Sequence, residues 1–133
     1  MNAFVEGVRD ILPAELRKRR TKAETKIMIQ ASGLINVPKP LDKPGENFSQ
    51  LRIPYIEGKK LSDFLDSFIL EKQKKICKKI GKSIAELHKK GIIHGDLTTS
   101  NMVLKSSGGR DKVYFIDFGL GFYSDKIEDK AVD

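Results

Sequence analysis

The chain has 133 residues, with 25 lysines and arginines against 18 aspartates and glutamates, which gives a formal net charge of +7. This length fits one compact domain that can bury a substantial core. A single cysteine excludes an internal disulfide framework, and no apolar run approaches the length of a membrane span. The N-terminus carries no signal-peptide pattern, so we expect a soluble intracellular protein.

The first predicted element is a helix over residues 13–31, because Pro13 suits a first turn and apolar residues recur near one face. These apolar residues are Leu16, Ala23, Ile27 and Ala31. Thr21 and Glu24 also have the spacing of a capping box, which would divide the region into two helices.

A proline-rich segment follows this helix. Residues 34–49 contain three prolines and are predicted to form a loop or short irregular strands. The stretch LRIPYI at 51–56 has the composition of a strand, and Pro54 would place it at an edge or an end of the sheet. The stretch LSDFLDSFIL at 61–70 is predicted to be helical.

Residues 71–90, EKQKKICKKIGKSIAELHKK, give the strongest helix signal. One apolar stripe runs along the segment, and lysines occupy most of the remaining surface. The stripe consists of Ile76, Ile80, Ile84 and Leu87. Cys77 is predicted to be a buried thiol that acts as a small hydrophobic side chain.

Positive charge is concentrated in two places. Residues 71–90 hold eight lysines against two glutamates, and RKRR occupies residues 17–20. Such runs attract phosphates or nucleic acid. A solvated helix face explains them equally well, so both interpretations stay open.

Two polar clusters each follow a short apolar strand. The segment HGDLTTSN at 94–101 follows the predicted buried strand IIH, and DFG at 117–119 follows KVYFI. The strands MVLK and KVYFI are joined by SSGGRD, which predicts a hairpin. That hairpin would bring Asp96 and Asn101 close to Asp117.

Two carboxylates and a carboxamide that converge at strand ends favour a Mg²⁺ and phosphate site, because Mg²⁺ prefers hard oxygen ligands. Phosphoryl transfer requires such metal ligands, together with one carboxylate that orients the attacking hydroxyl or water. The sequence therefore predicts phosphoryl-transfer chemistry here.

The order Asp-x₄-Asn, hairpin, Asp-Phe-Gly resembles the signature of protein kinases. The resemblance implies an α+β, protein-kinase-like fold, with a partial small lobe at 1–56 and the first half of the helical large lobe at 57–133. It implies that Asp96 is the catalytic carboxylate. It also implies that Asn101 and Asp117 bind Mg²⁺ and contact ATP.

The segment HGDLTTSN at 94–101 matches the catalytic loop of that signature, and two further residues of it are interpreted through the same resemblance. His94 matches a histidine that packs beneath the catalytic loop, and we interpret it as structural. Gly95 occupies the position where kinases usually carry an arginine that binds a phosphorylated activation loop. We therefore expect no regulation by activation-loop phosphorylation.

The segments HGDLTTSNM, IDFGLG and EDKAVD are similar to the atypical kinase subunit of the KEOPS (EKC) complex, which helps make threonylcarbamoyladenosine in tRNA. RKRRTKAE at 17–24 and IEG at 56–58 resemble further segments of that family. The resemblance implies that Glu24 pairs with a strand lysine near ATP. It also implies that the backbone around Pro54 and Ile56 meets adenine, and that Asp133 is a buried anchor for the catalytic loop.

The same resemblance implies partners and a location. The partners would be other KEOPS subunits, especially the threonylcarbamoyl-transferring subunit and the small regulatory subunit, together with tRNA and without a membrane. The location would be cytoplasmic, and also nuclear in a eukaryote.

The family has a Gly-rich loop and a phosphate-contacting lysine upstream of RKRRT, whereas the first lysine here is Lys18. The family also continues beyond Asp133. We therefore expect the middle part of a kinase that hydrolyses ATP negligibly alone, and Glu24 is equally well explained as the capping-box acid.

Three functions stay open. We favour a KEOPS-type serine/threonine kinase or ATPase. A non-catalytic scaffold of the same complex is the second. A small-molecule phosphotransferase of the aminoglycoside or choline kinase type is the third, and DFG and EDKAVD argue against it.

Overall fold

The computed structural model describes residues 14–41 and 51–133. The side chains of residues 14, 15 and 17 are outside this description. Pro13, the predicted helix start, and residues 42–50 of the predicted loop also lie outside the described residues. The α-helices in the described ranges are α1 (Ala14–Ser32), α2 (Leu61–Phe64), α3 (Leu70–Lys89) and α4 (Ile127–Val132). The strands are β1 (Lys59–Lys60), β2 (Ile92–Ile93), β3 (Met102–Ser107), β4 (Arg110–Phe115) and β5 (Phe122–Tyr123). None of these helices is long and apolar enough to cross a membrane.

Helix α1 is one continuous helix, so the predicted division into two helices was wrong. Thr21 lies inside it, and the Thr25 hydroxyl donates a hydrogen bond of 2.7 Å to the Thr21 carbonyl. This bond runs along the helix and leaves no helix start at Thr21 for a capping box. Glu24 is therefore not a capping-box acid. The buried face holds Ile27 and Ala31 as predicted, whereas Ala23, which was predicted to lie near the same face, is exposed.

The predicted strand at 51–56 was wrong, because no strand forms in that stretch. Within the described residues, one backbone hydrogen bond connects this stretch to the preceding loop. The Leu41 N–H donates to the Arg52 carbonyl at 2.9 Å. Pro54 has no N–H with which to join a ladder. The chain instead forms β1 immediately afterwards.

The predicted helix at 61–70 is interrupted. After α2 the chain forms a 3₁₀ turn at Leu65–Ser67 and then becomes extended at Phe68. The Gln73 side chain donates to the carbonyls of Leu65 and Phe68, at 3.0 and 3.1 Å. These bonds satisfy carbonyls that a continuing helix would have used.

Helix α3 confirms the prediction for residues 71–90. Ile76 and Leu87 are buried, and Ile80 and Ile84 pack against the core. Cys77 was predicted to be buried but is exposed. It follows Ile76 directly, and consecutive helical residues point about 100° apart around the axis.

The β3–β4 hairpin confirms the predicted turn. Gly108 and Gly109 form its two-residue loop, and both have positive φ, 58° and 78°. Two-residue hairpin turns of this kind match the twist of the strands and favour glycine. The antiparallel sheet has the order β1-β3-β4, and β2 pairs with β5 in a second, two-stranded sheet.

One buried cluster connects α1, α3 and the hairpin. Its members on these elements are Ile27, Met28, Ala31, Ile76, Leu87, Met102, Leu104, Val113 and Phe115. The core therefore fixes the hairpin against both long helices, and the polar segments that follow β2 and β4 lie beside one another at its edge.

Candidate active site

His94 lies at the centre of the candidate site and is completely buried. Its Nε2 lies 2.9 Å from the Ile116 carbonyl, and its Nδ1 lies 3.1 Å from the Asp96 backbone nitrogen. A proton on Nε2 and a lone pair on Nδ1 satisfy both bonds. Both ring nitrogens are thus committed to the backbone, and His94 joins the two polar segments rather than offering a metal ligand.

Asp96 and Asn101 are held against one another. The Asn101 Nδ2 donates to the Asp96 carbonyl and to Asp96 Oδ2, both at 3.1 Å. The Ile116 N–H donates to the Asn101 carbonyl at 3.0 Å, which fixes Asn101 next to the strand that precedes Asp117. The amide group of Asn101 orients one carboxylate oxygen of Asp96, and its own oxygen is left to accept or to bind a cation.

Asp133 anchors the loop at residues 94–101, in agreement with the resemblance. Its side chain is fully buried, and it accepts hydrogen bonds from the backbone N–H groups of His94 at 3.0 Å and Gly95 at 2.8 Å. His88 Nε2 lies 2.8 Å from the same carboxylate. The role of His88 was missed, because its place in the lysine-rich helix gave no sign of a partner so far along the chain.

Gly95 has no room for a side chain. Its φ is +90°, and a Cβ atom there would lie 2.2 Å from the Leu120 carbonyl oxygen. Both the backbone conformation and the close approach of Leu120 require glycine. The arginine that kinases usually carry here would not fit this loop.

Asp117 and Phe118 point in different directions. Asp117 is exposed and has a φ of 59°, the only positive φ outside glycine in the described residues. Phe118 is buried, and its ring lies 4.5 Å from the His94 ring. Asp117 Oδ1 accepts a bond of 3.2 Å from the Gly119 N–H. The unusual backbone turn thus buries the aromatic ring and presents the carboxylate outward.

Glu24 reaches the same place from α1. A Cβ atom at Gly119 would lie 3.1 Å from Asp117 Oδ1 and 3.6 Å from Glu24 Oε1. Burial raises the pKa of the Glu24 carboxyl, the negative charge of Asp117 raises it further, and a hydrogen bond from the Phe118 backbone lowers it. Two carboxyl groups therefore share one small region.

Pro54 and Ile56 are half-buried, whereas Tyr55 between them is 88% exposed. Within the described part of the chain, neither residue forms a hydrogen bond to the catalytic loop or to Asp117. Their contact with adenine stays a prediction.

The donor set fits Mg²⁺ shared with a phosphate. Asp117 and Asn101 offer hard oxygens, and in residues 14–41 and 51–133 no three His, Cys, Asp or Glu residues are grouped to hold a metal by themselves. Mg²⁺ is commonly bound through one or two carboxylates together with substrate phosphates. A cation would also relieve the repulsion between Glu24 and Asp117.

Residues 15–130 match the family model described as protein kinase domain. Because that match covers most of the chain, this chain belongs to the protein kinase family.

Within the family, the chain is similar to Bud32 proteins. It is 42% identical to the KEOPS complex subunit Bud32 of Pyrococcus abyssi, over 90% of this chain and 52% of that protein. It is 38% identical to a probable serine/threonine-protein kinase BUD32 homolog of Archaeoglobus fulgidus, over 92% of this chain and 56% of that protein. The chain thus spans about half the length of these relatives.

A longer type of relative carries the same region. The chain is 45% identical to a probable bifunctional tRNA threonylcarbamoyladenosine biosynthesis protein of Methanobrevibacter smithii. The similarity covers 92% of this chain but 21% of that protein.

Proposed function

We propose that this chain belongs to an ATP-dependent serine/threonine kinase or ATPase of a KEOPS-type complex that modifies tRNA with threonylcarbamoyladenosine. The names of its relatives support the complex and the tRNA. The observation that carries the chemistry is the bond from the Asn101 amide to the Asp96 carboxylate, formed beside Asp117.

In this proposal Asp96 is the catalytic residue. Asn101 holds Asp96 Oδ2, and the other carboxylate oxygen accepts the proton of an attacking hydroxyl or water. The His94 and Asp133 bonds keep the loop rigid, so the carboxylate is positioned before substrate arrives.

The ATP site would combine Glu24, Asn101 and Asp117 near the phosphates with the backbone of Pro54 and Ile56 near adenine. Asn101 and Asp117 would hold Mg²⁺, which when bound supplies positive charge for the phosphates. The exposed position of Asp117 and the free amide oxygen of Asn101 support this assignment.

The lobes and partners are parts of the same proposal. Residues 1–56 would belong to a small lobe and 57–133 to a large lobe, and the pairing of β1 with β3 supports a large-lobe assignment from residue 59 onward. Other KEOPS subunits, among them the threonylcarbamoyl-transferring and small regulatory subunits, would be partners. A cytoplasmic location is proposed from the tRNA substrate.

The test is ATP turnover by the protein assembled with KEOPS subunits. Asp96→Asn should lower turnover by about 10²-fold or more, on the scale of a positioned acid–base group, while nucleotide affinity stays unchanged. Asp66→Asn, an exposed change of equal charge, should have no effect. If turnover is the same in wild type and Asp96→Asn, the catalytic proposal is wrong and the scaffold function is favoured.

A further inference from the structure

A groove of about 780 Å³ lies between α3 and the β3–β4 hairpin. It is separate from the candidate active site, since Asp96, Asn101 and Asp117 do not line it. Positively charged side chains line it from both sides. These are Lys72, Lys75, Lys79 and Lys82 on the helix and Arg110 and Lys112 on the hairpin.

The helix lysines form a regular row. Residues 72, 75, 79 and 82 are separated by three, four and three positions, which places them on one face of a helix. At 1.5 Å per residue, the row has a cation about every 4.5 to 6 Å. Lys74 and Lys78 are exposed on the same helix but do not line the groove.

Little negative charge offsets this row. Glu71 and Asp111 are the acidic residues among the described lining, and the Asp111 carboxylate already accepts a hydrogen bond from the Ser106 hydroxyl. The Lys79 ammonium donates to the Asp111 backbone carbonyl, which joins the helix to the hairpin. The groove therefore has an excess of positive charge on a fixed frame.

We infer that this groove binds the phosphate backbone of RNA, and specifically of the tRNA substrate. A row of cations at even spacing matches a strand that presents an anion at every nucleotide. An acidic peptide would match it only where acidic residues recur at the same interval. No aromatic side chain occurs among the described lining, so the contacts we infer are to phosphates rather than to stacked bases.

This inference rests on the proposed function only for the choice of tRNA, and its test requires neither ATP nor turnover. The matched variants are Lys75→Ala/Lys82→Ala, inside the groove, and Lys74→Ala/Lys78→Ala, outside it. Both pairs remove the same charge from α3, and none of the four lysines has a described hydrogen bond or ring contact. Thermal melts of both variants establish that the fold is retained.

Binding of a fluorescent tRNA transcript is measured from low to high salt. The groove pair should weaken binding and lower the slope of log affinity against log salt by about 1.4 to 1.8, the value for two phosphate contacts. The outer pair should leave that slope nearly unchanged.

Equal effects of the two pairs would show general attraction to a basic helix and overturn the assignment, as would no effect of either. Polyglutamate serves as the competitor. If it displaces tRNA as well as unlabelled RNA does at equal charge, the groove is a site for acidic peptides and the inference fails. If Asp96→Asn leaves ATP turnover unchanged while the groove pair weakens tRNA binding, the proposed function is overturned and the groove assignment is retained.

Discussion

Glu24 on α1 and Asp117 after β4 direct their carboxyl groups to the same side of Gly119. A Cβ atom at Gly119 would lie within 3.6 Å of an oxygen of each. Burial raises the pKa of Glu24, and the negative charge of Asp117 raises it further. In a kinase-like site, this close approach concentrates negative charge where a cation and phosphates would bind, so the pair has consequences for both stability and ligand binding.

The first prediction concerns pH. Because the pKa of Glu24 is raised above 4.5 in the folded state, its contribution to stability is complete below pH 4.5 and is lost as the pH rises through the folded-state pKa. Glu24→Gln should therefore melt at a higher temperature than wild type at pH 7, and the difference should vanish as the pH falls towards 4.5.

The matched control is Glu86→Gln, an exposed change of the same charge on α3. Its melting temperature should follow wild type at every pH. If Glu24→Gln is less stable than wild type at pH 7, burial and repulsion from Asp117 do not destabilise the ionised Glu24 side chain in the folded protein.

The second prediction concerns the metal. Asp117→Asn should abolish the Mg²⁺ dependence of nucleotide binding in titration calorimetry, since a neutral amide is a weaker ligand for a hard cation. Asparagine tolerates the positive φ at this position, so the backbone turn is retained. Asp63→Asn on the exposed face of α2 is the control. Unchanged Mg²⁺ dependence in Asp117→Asn would remove Asp117 from the metal site.

Much of this arrangement was predictable because the signals are local. The apolar stripe of α3 has a helical period, and the Gly108–Gly109 pair specifies a hairpin turn. Asp96, Asn101 and Asp117 follow short strands at positions that a hairpin must bring together. Chain-local periodicity and turn chemistry were sufficient for these features.

Other features depend on partners that are distant in sequence. The stretch 51–56 has the composition of a strand, but composition does not supply a neighbouring strand to pair with. The burial of Cys77 was misjudged, because a single position along a helix separates the core face from solvent. The contact between His88 and Asp133 depends on how α4 packs against the catalytic loop.

The third prediction concerns Gly95. Gly95→Ala should destabilise the fold and lower turnover, because the new Cβ would meet the Leu120 carbonyl at 2.2 Å in addition to straining a positive φ. Gly108→Ala is the matched control, since it has a positive φ of 58° but nothing within 4 Å of the new Cβ. The control should lose about 1 to 2 kcal/mol of unfolding free energy from backbone strain alone. A loss no larger in Gly95→Ala would contradict the close approach of Leu120.

The last prediction concerns Asp133, which satisfies two backbone donors of the catalytic loop and the ring of His88. In Asp133→Asn, an amide NH₂ group replaces one of the two carboxylate oxygens. This group cannot accept a hydrogen bond from the N–H donor that it faces. A buried donor left unpaired costs about 1 to 3 kcal/mol, so denaturant unfolding should show a loss of that size. The loop would also become mobile, and kcat should fall more than nucleotide affinity, because Asp96 would be less well positioned while the ATP contacts persist. Glu128→Gln, an exposed change of equal charge on α4, the helix that precedes Asp133, should leave both measurements unchanged. A stable Asp133→Asn protein with normal kcat would show that the loop holds its shape without this carboxylate.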